Sequence, residues 1–152
     1  MTTPQLTFVA DIFVKVGEPI TIGETPEGLR RMVSILGGRI EGPRLKGDIL
    51  CAGADYQLIR ADGYTTLDAR YAAQMADGAM LYIANLGVRY GAPDLMAKIT
   101  RGEPVPPEQI YFRTIPRFET AAPGLLWLTR PLFLATGIRR PDCVELKLFE
   151  VG

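Results

Sequence analysis

The chain has 152 residues, and its 17 Lys and Arg balance its 17 Asp and Glu, so its net charge favours neither nucleic acid nor an anionic membrane as a partner. It contains no histidine, which excludes Ser-His and Cys-His nucleophile pairs and histidine-ligated metal sites. Its two cysteines are isolated and have neither metal nor redox spacing. We therefore expect one domain over residues 1–152 that needs no metal and no cofactor. The N-terminal residues lack the basic start and apolar stretch of a targeting segment, which predicts a cytoplasmic protein.

The first predicted strand is Leu6–Val16, because every even position in this range is apolar. Further strand-like runs cover residues 29–36, 49–52, 55–61, 64–76, 80–90, 110–119, 131–138 and 143–151. Residues 93–100 alone resemble a helix. Gly42, Gly47 and Gly53 recur at the spacing expected where strands bend around a closed sheet. The sequence therefore predicts an all-β fold, a closed and mainly antiparallel β-barrel of about eight to ten strands with one short helix.

Two Asp-Gly pairs, at positions 62–63 and 77–78, lie between predicted strands and are typical of two-residue type I′ hairpin turns. Such turns would pair residue 61 with residue 64 and residue 76 with residue 79. The resulting register places two rows of polar side chains across three neighbouring strands. The rows are Asp55, Arg70 and Asn85, then Gln57, Asp68 and Gly87, with Arg89 one pleat further along.

This polar cluster has two interpretations. It is either the wall of a small-molecule pocket or the solvated outer face of the barrel, in which case the Tyr-rich opposite face fills the core. Apolar residues border the cluster on its own face, which favours the pocket: Ile59, Ala72, Leu81 and Ile83. The candidate catalytic residues are then Asp68, Arg70 and Asp55. The candidate ligand-binding residues are Arg89, Asn85 and Gln57, with Tyr71 as a proton donor depending on the register.

A second candidate site lies in YFRTIPRFET, residues 111–120, whose odd positions share one face. Arg113 beside Tyr111 could form an anion or carbonyl clamp, because a guanidinium offers a planar fork of donors. Glu119 lies on the same face, where an ordinary surface ion pair with Arg117 is the alternative. Trp127 is the only tryptophan, and we favour a core or interface anchor over a ligand-stacking role.

Two pairs of neighbouring arginines, Arg30-Arg31 and Arg139-Arg140, lie in no basic stripe. We expect both pairs to lie on a solvated face.

A resemblance to a known family covers nearly the whole chain. It is carried by the stretches GPRLKGDILCAGADYQLIRADGYTTLDARYAAQ, LYIANLGVRYG and YFRTIPRFETAAPGLLWL. Together these resemble an uncharacterised bacterial family, the domain of unknown function 3237. The resemblance implies a small, self-associating β-barrel, assigns no reaction, and favours the pocket for Asp68 and Arg70. It also places eight residues on motif positions: Asp55, Arg60, Asp68, Arg70, Tyr71, Arg89, Arg113 and Glu119.

Three functional hypotheses remain open. The first is an isomerase, cyclase or lyase that uses Asp, Arg and Tyr for acid–base chemistry on a small apolar carbonyl or phenolic compound. The second is a carrier or sensor that binds a small hydrophobic or aromatic molecule without reaction, which a barrel of about eight strands has room to do. The third is a structural module whose apolar face joins copies of the chain, most simply as a dimer.

Overall fold

A computed structural model describes residues 2–152, and β-strands dominate it. Strands β1 to β5 are Leu6–Val16, Ile20–Thr25, Gly28–Glu41, Lys46–Ile49 and Ala54–Ile59. Strands β6 to β10 are Thr65–Met75, Met80–Tyr90, Tyr111–Glu119, Leu132–Arg139 and Cys143–Val151. Helix α1 is Pro93–Thr100, and two 3₁₀ segments cover Pro107–Gln109 and Pro123–Thr129. Strand β2 and both 3₁₀ segments are elements that the sequence pattern did not predict. The predicted strand 49–52 is wrong except for its first residue, because β4 ends at Ile49.

The strands form one antiparallel sheet that closes on itself. Strand β1 pairs with β10 on one side and with β3 on the other, which joins the two ends of the sheet. Strands β4 and β5 both lie between β3 and β6, at different positions along them, while β2 pairs only with β3. The predicted closed antiparallel barrel is therefore confirmed.

The two ends of the barrel differ in how they are closed. Helix α1 lies at the end where β6 begins, since a side chain at Gly63, in the turn before β6, would collide with Met96 of the helix. The 3₁₀ segment Pro123–Thr129 closes the end where β6 finishes, and buries Leu125 and Leu128 there. Apolar side chains fill that half of the barrel, where the rings of Phe118 and Phe133 meet edge to face at 5.2 Å. The half near α1 is more polar.

The two Asp-Gly turns have three-residue loops, and the predicted type I′ geometry is wrong. The amide of Gly63 donates to the carbonyl of Arg60 at 2.9 Å, and the amide of Arg60 donates to the carbonyl of Tyr64 at 2.9 Å. The second turn repeats this arrangement, with Gly78 bonded to Met75 and Met75 to Ala79. In each loop the glycine has positive φ and the aspartate does not. This is a type I turn followed by a left-handed glycine.

Side chains explain why the aspartates adopt this turn. A carboxylate oxygen of Asp62 accepts a hydrogen bond from the amide of Tyr64 at 3.1 Å, and Asp77 accepts one from Ala79 at 3.0 Å. Such bonds hold the aspartate in the right-handed conformation of a type I turn. The extra loop residue moves the register by one position, and a one-residue slip reverses the face of every side chain on the strand.

Candidate functional site

Two connected cavities occupy the α1 end of the barrel. The first, which we call the inner cavity, has a mostly apolar lining. The second, which we call the vestibule, lies between the inner cavity and α1. The residues that line both are Val16, Asp55, Arg89 and Val144. A molecule in the inner cavity would therefore contact one buried carboxyl group, that of Asp55, and one buried guanidinium, that of Arg89.

Strand register brings these polar groups together. Asp55 on β5 pairs with Ala69 on β6, and Ala69 pairs with Asn85 on β7. The predicted row contained Arg70 in place of Ala69. The one-residue register shifts at the two turns cancel between β5 and β7, so Asp55 and Asn85 share a row as predicted. Strand β6, which lies between them, presents the opposite face to the one predicted.

Asp55 is held in a fixed orientation by two hydrogen bonds. One carboxylate oxygen accepts the side-chain amide of Gln57 at 2.9 Å, and the other accepts the backbone amide of Asp68 at 3.1 Å. Burial raises the pKa of the Asp55 carboxyl above its usual value, and it outweighs these bonds and the attraction of Arg89, all of which lower that pKa. A carboxyl group of this kind exchanges a proton closer to neutral pH than an exposed aspartate does.

Arg89 is a buried cation without a close anion. It is 4% exposed, and its Nε has no hydrogen-bond partner within residues 2–152. Its guanidinium carbon lies 5.5 Å from the ring centre of Phe112, which covers one side of it. Burial lowers the pKa of Arg89 to about 10, so the side chain is still charged at neutral pH. This positive charge faces both cavities.

Unpartnered polar atoms concentrate at this site. Six buried side-chain atoms lack a hydrogen-bond partner in the described part of the chain, and each belongs to a residue that lines the inner cavity or the vestibule. They are Arg31 Nε, Gln57 Oε1, Tyr71 Oη, Asn85 Oδ1, Arg89 Nε and Thr114 Oγ1. Leaving such a group unpaired costs about 1–3 kcal/mol, so a concentration of them in one cavity is typical of a binding site.

Tyr71 extends the proton-donating capacity of the inner cavity. Its side chain is buried, and burial first and the nearby Asp55 second raise the pKa of its hydroxyl. The hydroxyl therefore stays protonated and can donate to an oxygen atom of a bound molecule.

The vestibule carries two further arginines beside the end of α1. Arg31 Nη1 donates to the carbonyl of Thr100 at 2.9 Å. Arg139 donates to the carbonyls of Glu103 at 2.7 Å and Ile99 at 3.3 Å. Both guanidiniums thereby bind carbonyls at or just beyond the helix C-terminus, where cations are favoured.

Asp68 and Arg70 do not reach either cavity, and the prediction that they point inward is wrong. They form an ion pair with each other at 3.0 Å on the outer surface, where their side chains are 38% and 51% exposed. The reason is the register, which turns Leu67, Ala69 and Tyr71 inward. Only the backbone amide of Asp68 contributes to the site, through its bond to Asp55.

The candidates on β8 and beyond also lie away from the cavities. Arg113 and Glu119 share the exposed face of β8, as the period of two predicted, and that face is the outer surface. The guanidinium of Arg113 donates to the carbonyl of Phe112 at 2.9 Å. Trp127 packs against Phe133 at 6.4 Å between ring centres, at the end of the barrel opposite α1. A contact of these residues with a ligand in the inner cavity is thus excluded.

Sequence reasoning missed three residues of the site. Arg31 is 7% exposed and Arg139 is half-buried, so the expected solvated face is wrong for one member of each arginine pair. The available signal was periodicity, because Arg31 shares the face of Val33 and Ile35, both of which are buried. Thr114 likewise alternates with exposed neighbours on β8.

Comparison with known proteins identifies the family. The model of a protein family of unknown function, DUF3237, matches residues 4–151. The chain belongs to the DUF3237 family. A UPF0311 protein from Bradyrhizobium diazoefficiens is 42% identical over 151 residues, which cover 98% of this chain and 99% of the relative. The resemblance to this family that the sequence motifs indicated is confirmed.

Solved structures show the same barrel. The crystal structure of a conserved protein of unknown function from Rhodopseudomonas palustris has a TM-score of 0.94 and 39% identity, and the match covers 100% of this chain and 99% of that one. A structure described as an enzyme from Penicillium herquei has a TM-score of 0.75, covering 100% of this chain and 97% of its own. At 19% identity, that similarity shows the fold alone.

Two further features concern membranes and self-association. Among the described residues, no helix is both long enough and apolar enough to cross a membrane. Exposed apolar side chains on the outer face include Leu86 and Ile115, at 44% and 53% exposure. The predicted self-association through an apolar outer face stays a prediction.

Proposed function

We propose that this DUF3237 protein binds a small apolar compound with a carbonyl or phenol group in the inner cavity and moves a proton on it, as an isomerase does. The observation that carries the proposal is the set of buried, unpartnered polar atoms that line the mostly apolar inner cavity and the adjoining vestibule. A small molecule with an oxygen function would supply the missing partners, while its apolar part would pack against Leu67, Ala69 and Leu146.

Asp55 is the proton-transfer group in this proposal. Its carboxylate removes a proton from the carbon beside the carbonyl, and the electron pair of the C–H bond passes to the carbonyl oxygen to form an enolate. The resulting carboxylic acid returns the proton to another position of the enolate, so the carboxylate is regenerated and the substrate is isomerised. The raised pKa of Asp55 suits this step, because its carboxylate is then a stronger base than that of an exposed aspartate.

Arg89 and Tyr71 stabilise the developing negative charge. Arg89 provides a fixed cation in a largely enclosed site, where electrostatic stabilisation is stronger than in water. Tyr71 provides a neutral hydroxyl donor that no protein atom occupies within residues 2–152. Cyclisation and elimination reactions begin with the same proton removal, so the geometry also suits cyclases and lyases.

The test is hydrogen–deuterium exchange at carbon, because it requires only the first proton transfer. 2-Tetralone and 2-indanone would be incubated with the protein in D₂O, and their loss of C–H signal followed by NMR. We expect the wild-type protein to accelerate exchange over buffer, and Asp55→Asn to reduce the acceleration by about 100-fold or more, as loss of a general base does.

Asp68→Asn is the matched control, since Asp68 is an aspartate on the outer surface of the neighbouring strand. It should exchange at the wild-type rate, and both variants should show the circular dichroism spectrum of the wild type. If ligand-detected NMR shows that the ketones bind but exchange is not accelerated, the protein is a carrier or sensor. Equal loss of exchange in both variants would contradict the role of Asp55.

A further inference from the structure

We propose that the vestibule recognises a carboxylate, so that the ligands of this barrel are small carboxylic acids whose apolar part enters the inner cavity. This inference rests on the proposed function for the location of the ligand, and it adds the charge and class of that ligand. It concerns three of the four arginines that line the vestibule: Arg31, Arg89 and Arg139.

The vestibule has an excess of positive charge. Of the four arginines in its lining, Arg140 is neutralised by an ion pair with Glu145 at 3.0 Å. The other three guanidiniums face a single carboxylate, that of Asp55. The arginines also repel one another: burial first, and then the charge of Arg31, lowers the pKa of Arg139. The pKa of Arg89 is likewise lowered by burial first and also by the charges of Arg139 and Arg31. An anion among them would relieve this repulsion, and the net charge therefore favours an anionic guest.

Hydrogen bonds orient two arginines of the vestibule, and some of its donor atoms have no partner in the described chain. Arg31 is fixed by its bond to Thr100 and Arg139 by its bonds to Glu103 and Ile99. The Nε atoms of Arg31 and Arg89 are nevertheless buried and unpartnered in the described chain. A guanidinium that is already fixed loses little entropy on binding, and its planar fork fits the two oxygens of a carboxylate.

A purely structural role explains part of this arrangement but not Arg89. Arg31 and Arg139 bind carbonyls at the end of α1, and capping of the helix would justify both. Arg89 has no such bond and lies where the vestibule meets the inner cavity. A buried cation that makes no ion pair is unfavourable even with the attraction of Asp55, so an anion that binds from outside the chain explains the position of Arg89 best.

A singly charged carboxylate fits this site better than a phosphate group. Asp55 lines the same vestibule and would repel a dianion more strongly than a monoanion. The inner cavity beyond it is mostly apolar, which suits the hydrocarbon part of an aryl or alkyl acid.

The test compares a carboxylate with its neutral amide. Binding of phenylacetate and phenylacetamide would be measured by NMR titration at neutral pH and low salt. The wild-type protein should bind phenylacetate about tenfold or more tightly than phenylacetamide, as expected for a charge-assisted hydrogen bond. Arg89→Gln should weaken the binding of phenylacetate by about ten- to a hundredfold and change that of phenylacetamide by less than about threefold.

Arg70→Gln is the matched control, because it removes an arginine from the outer surface and should leave both affinities unchanged. If Arg89→Gln fails to fold, Arg31→Gln provides the same comparison at the other unpartnered Nε. Equal affinity of the wild type for the acid and the amide would overturn the inference and leave the proposed function intact. Stronger competition by inorganic phosphate than by acetate would overturn the choice of a carboxylate. If neither probe binds and the ketone exchange is absent as well, the inference fails together with the proposed function.

Discussion

Replacing Arg89 by methionine should stabilise the empty barrel. Burial, followed by the charges of Arg139 and Arg31, lowers the pKa of Arg89 to about 10, although the attraction of Asp55 opposes this shift. At about 1.4 kcal/mol for each pKa unit, the charged guanidinium is about 3 kcal/mol less favourable in the folded protein than in water. Methionine fills a similar volume without a charge or a polar atom. We expect Arg89→Met to raise the free energy of unfolding by about 1–3 kcal/mol and the melting temperature by roughly 2–4 °C for each kcal/mol.

Urea unfolding at neutral pH, followed by circular dichroism, measures this effect. The slope of the free energy against urea should stay unchanged, so that a shift of the midpoint reports stability alone. Arg70→Met is the control, because an exposed arginine should change stability by no more than about 0.5 kcal/mol. A loss of more than about 1 kcal/mol in Arg89→Met would refute the reasoning, since it would mean that Arg89 is well compensated within the empty barrel.

Two further predictions concern stability. Because the pKa of Asp55 is raised on folding, the folded state binds the carboxyl proton more strongly than the unfolded state does. Protonation of Asp55 therefore stabilises the fold at low pH, and this stabilisation is lost as pH rises from the unfolded-state pKa through the raised folded-state pKa. The difference in unfolding free energy between Asp55→Asn and the wild type, measured by urea titration, should therefore grow in favour of the variant as pH rises from about 4 towards neutral; a difference that is independent of pH would contradict the raised pKa. At Gly38, φ is +144° and an added Cβ would collide with the carbonyl oxygen of Phe13. Gly38→Ala should cost about 3 kcal/mol in the same assay, whereas Gly124→Ala, with open space around it, should be nearly neutral; equal stability of the two variants would contradict this account.

Periodicity predicted the strands well, because each one buries a single face. Strands β1, β7 and β10 have the predicted bounds, and helix α1 covers the predicted residues 93–100. Strand β2 was missed because it pairs with β3 alone and leaves Ile20 and Ile22 exposed, so it contributes no face to the core. The conformation of such a strand is determined by its backbone hydrogen bonds to the neighbouring strand more than by its own sequence pattern.

The candidate site was predicted in part. The sequence gathered Asp55, Gln57, Asn85 and Arg89 into one cluster, and the structure places all of them at the two cavities. It assigned Asp68 and Arg70 to the same cluster because both Asp-Gly turns were given two loop residues. No residue type in the strand itself distinguishes the two registers, since charged and apolar residues alternate on either assumption.

The amino-acid sequence alone determined the family, the all-β closed barrel and most strand bounds, because these depend on local alternation and turn residues. Which face of β6 points inward was decided by the structure, through two backbone hydrogen bonds in each of the two Asp-Gly turns. Tertiary structure also decided the charge of the vestibule, where Arg31, Arg89 and Arg139 meet although they are far apart in the chain. The physical reason is that a closed barrel brings distant strands to one end, and alternation within a single strand does not show which side chains will meet there.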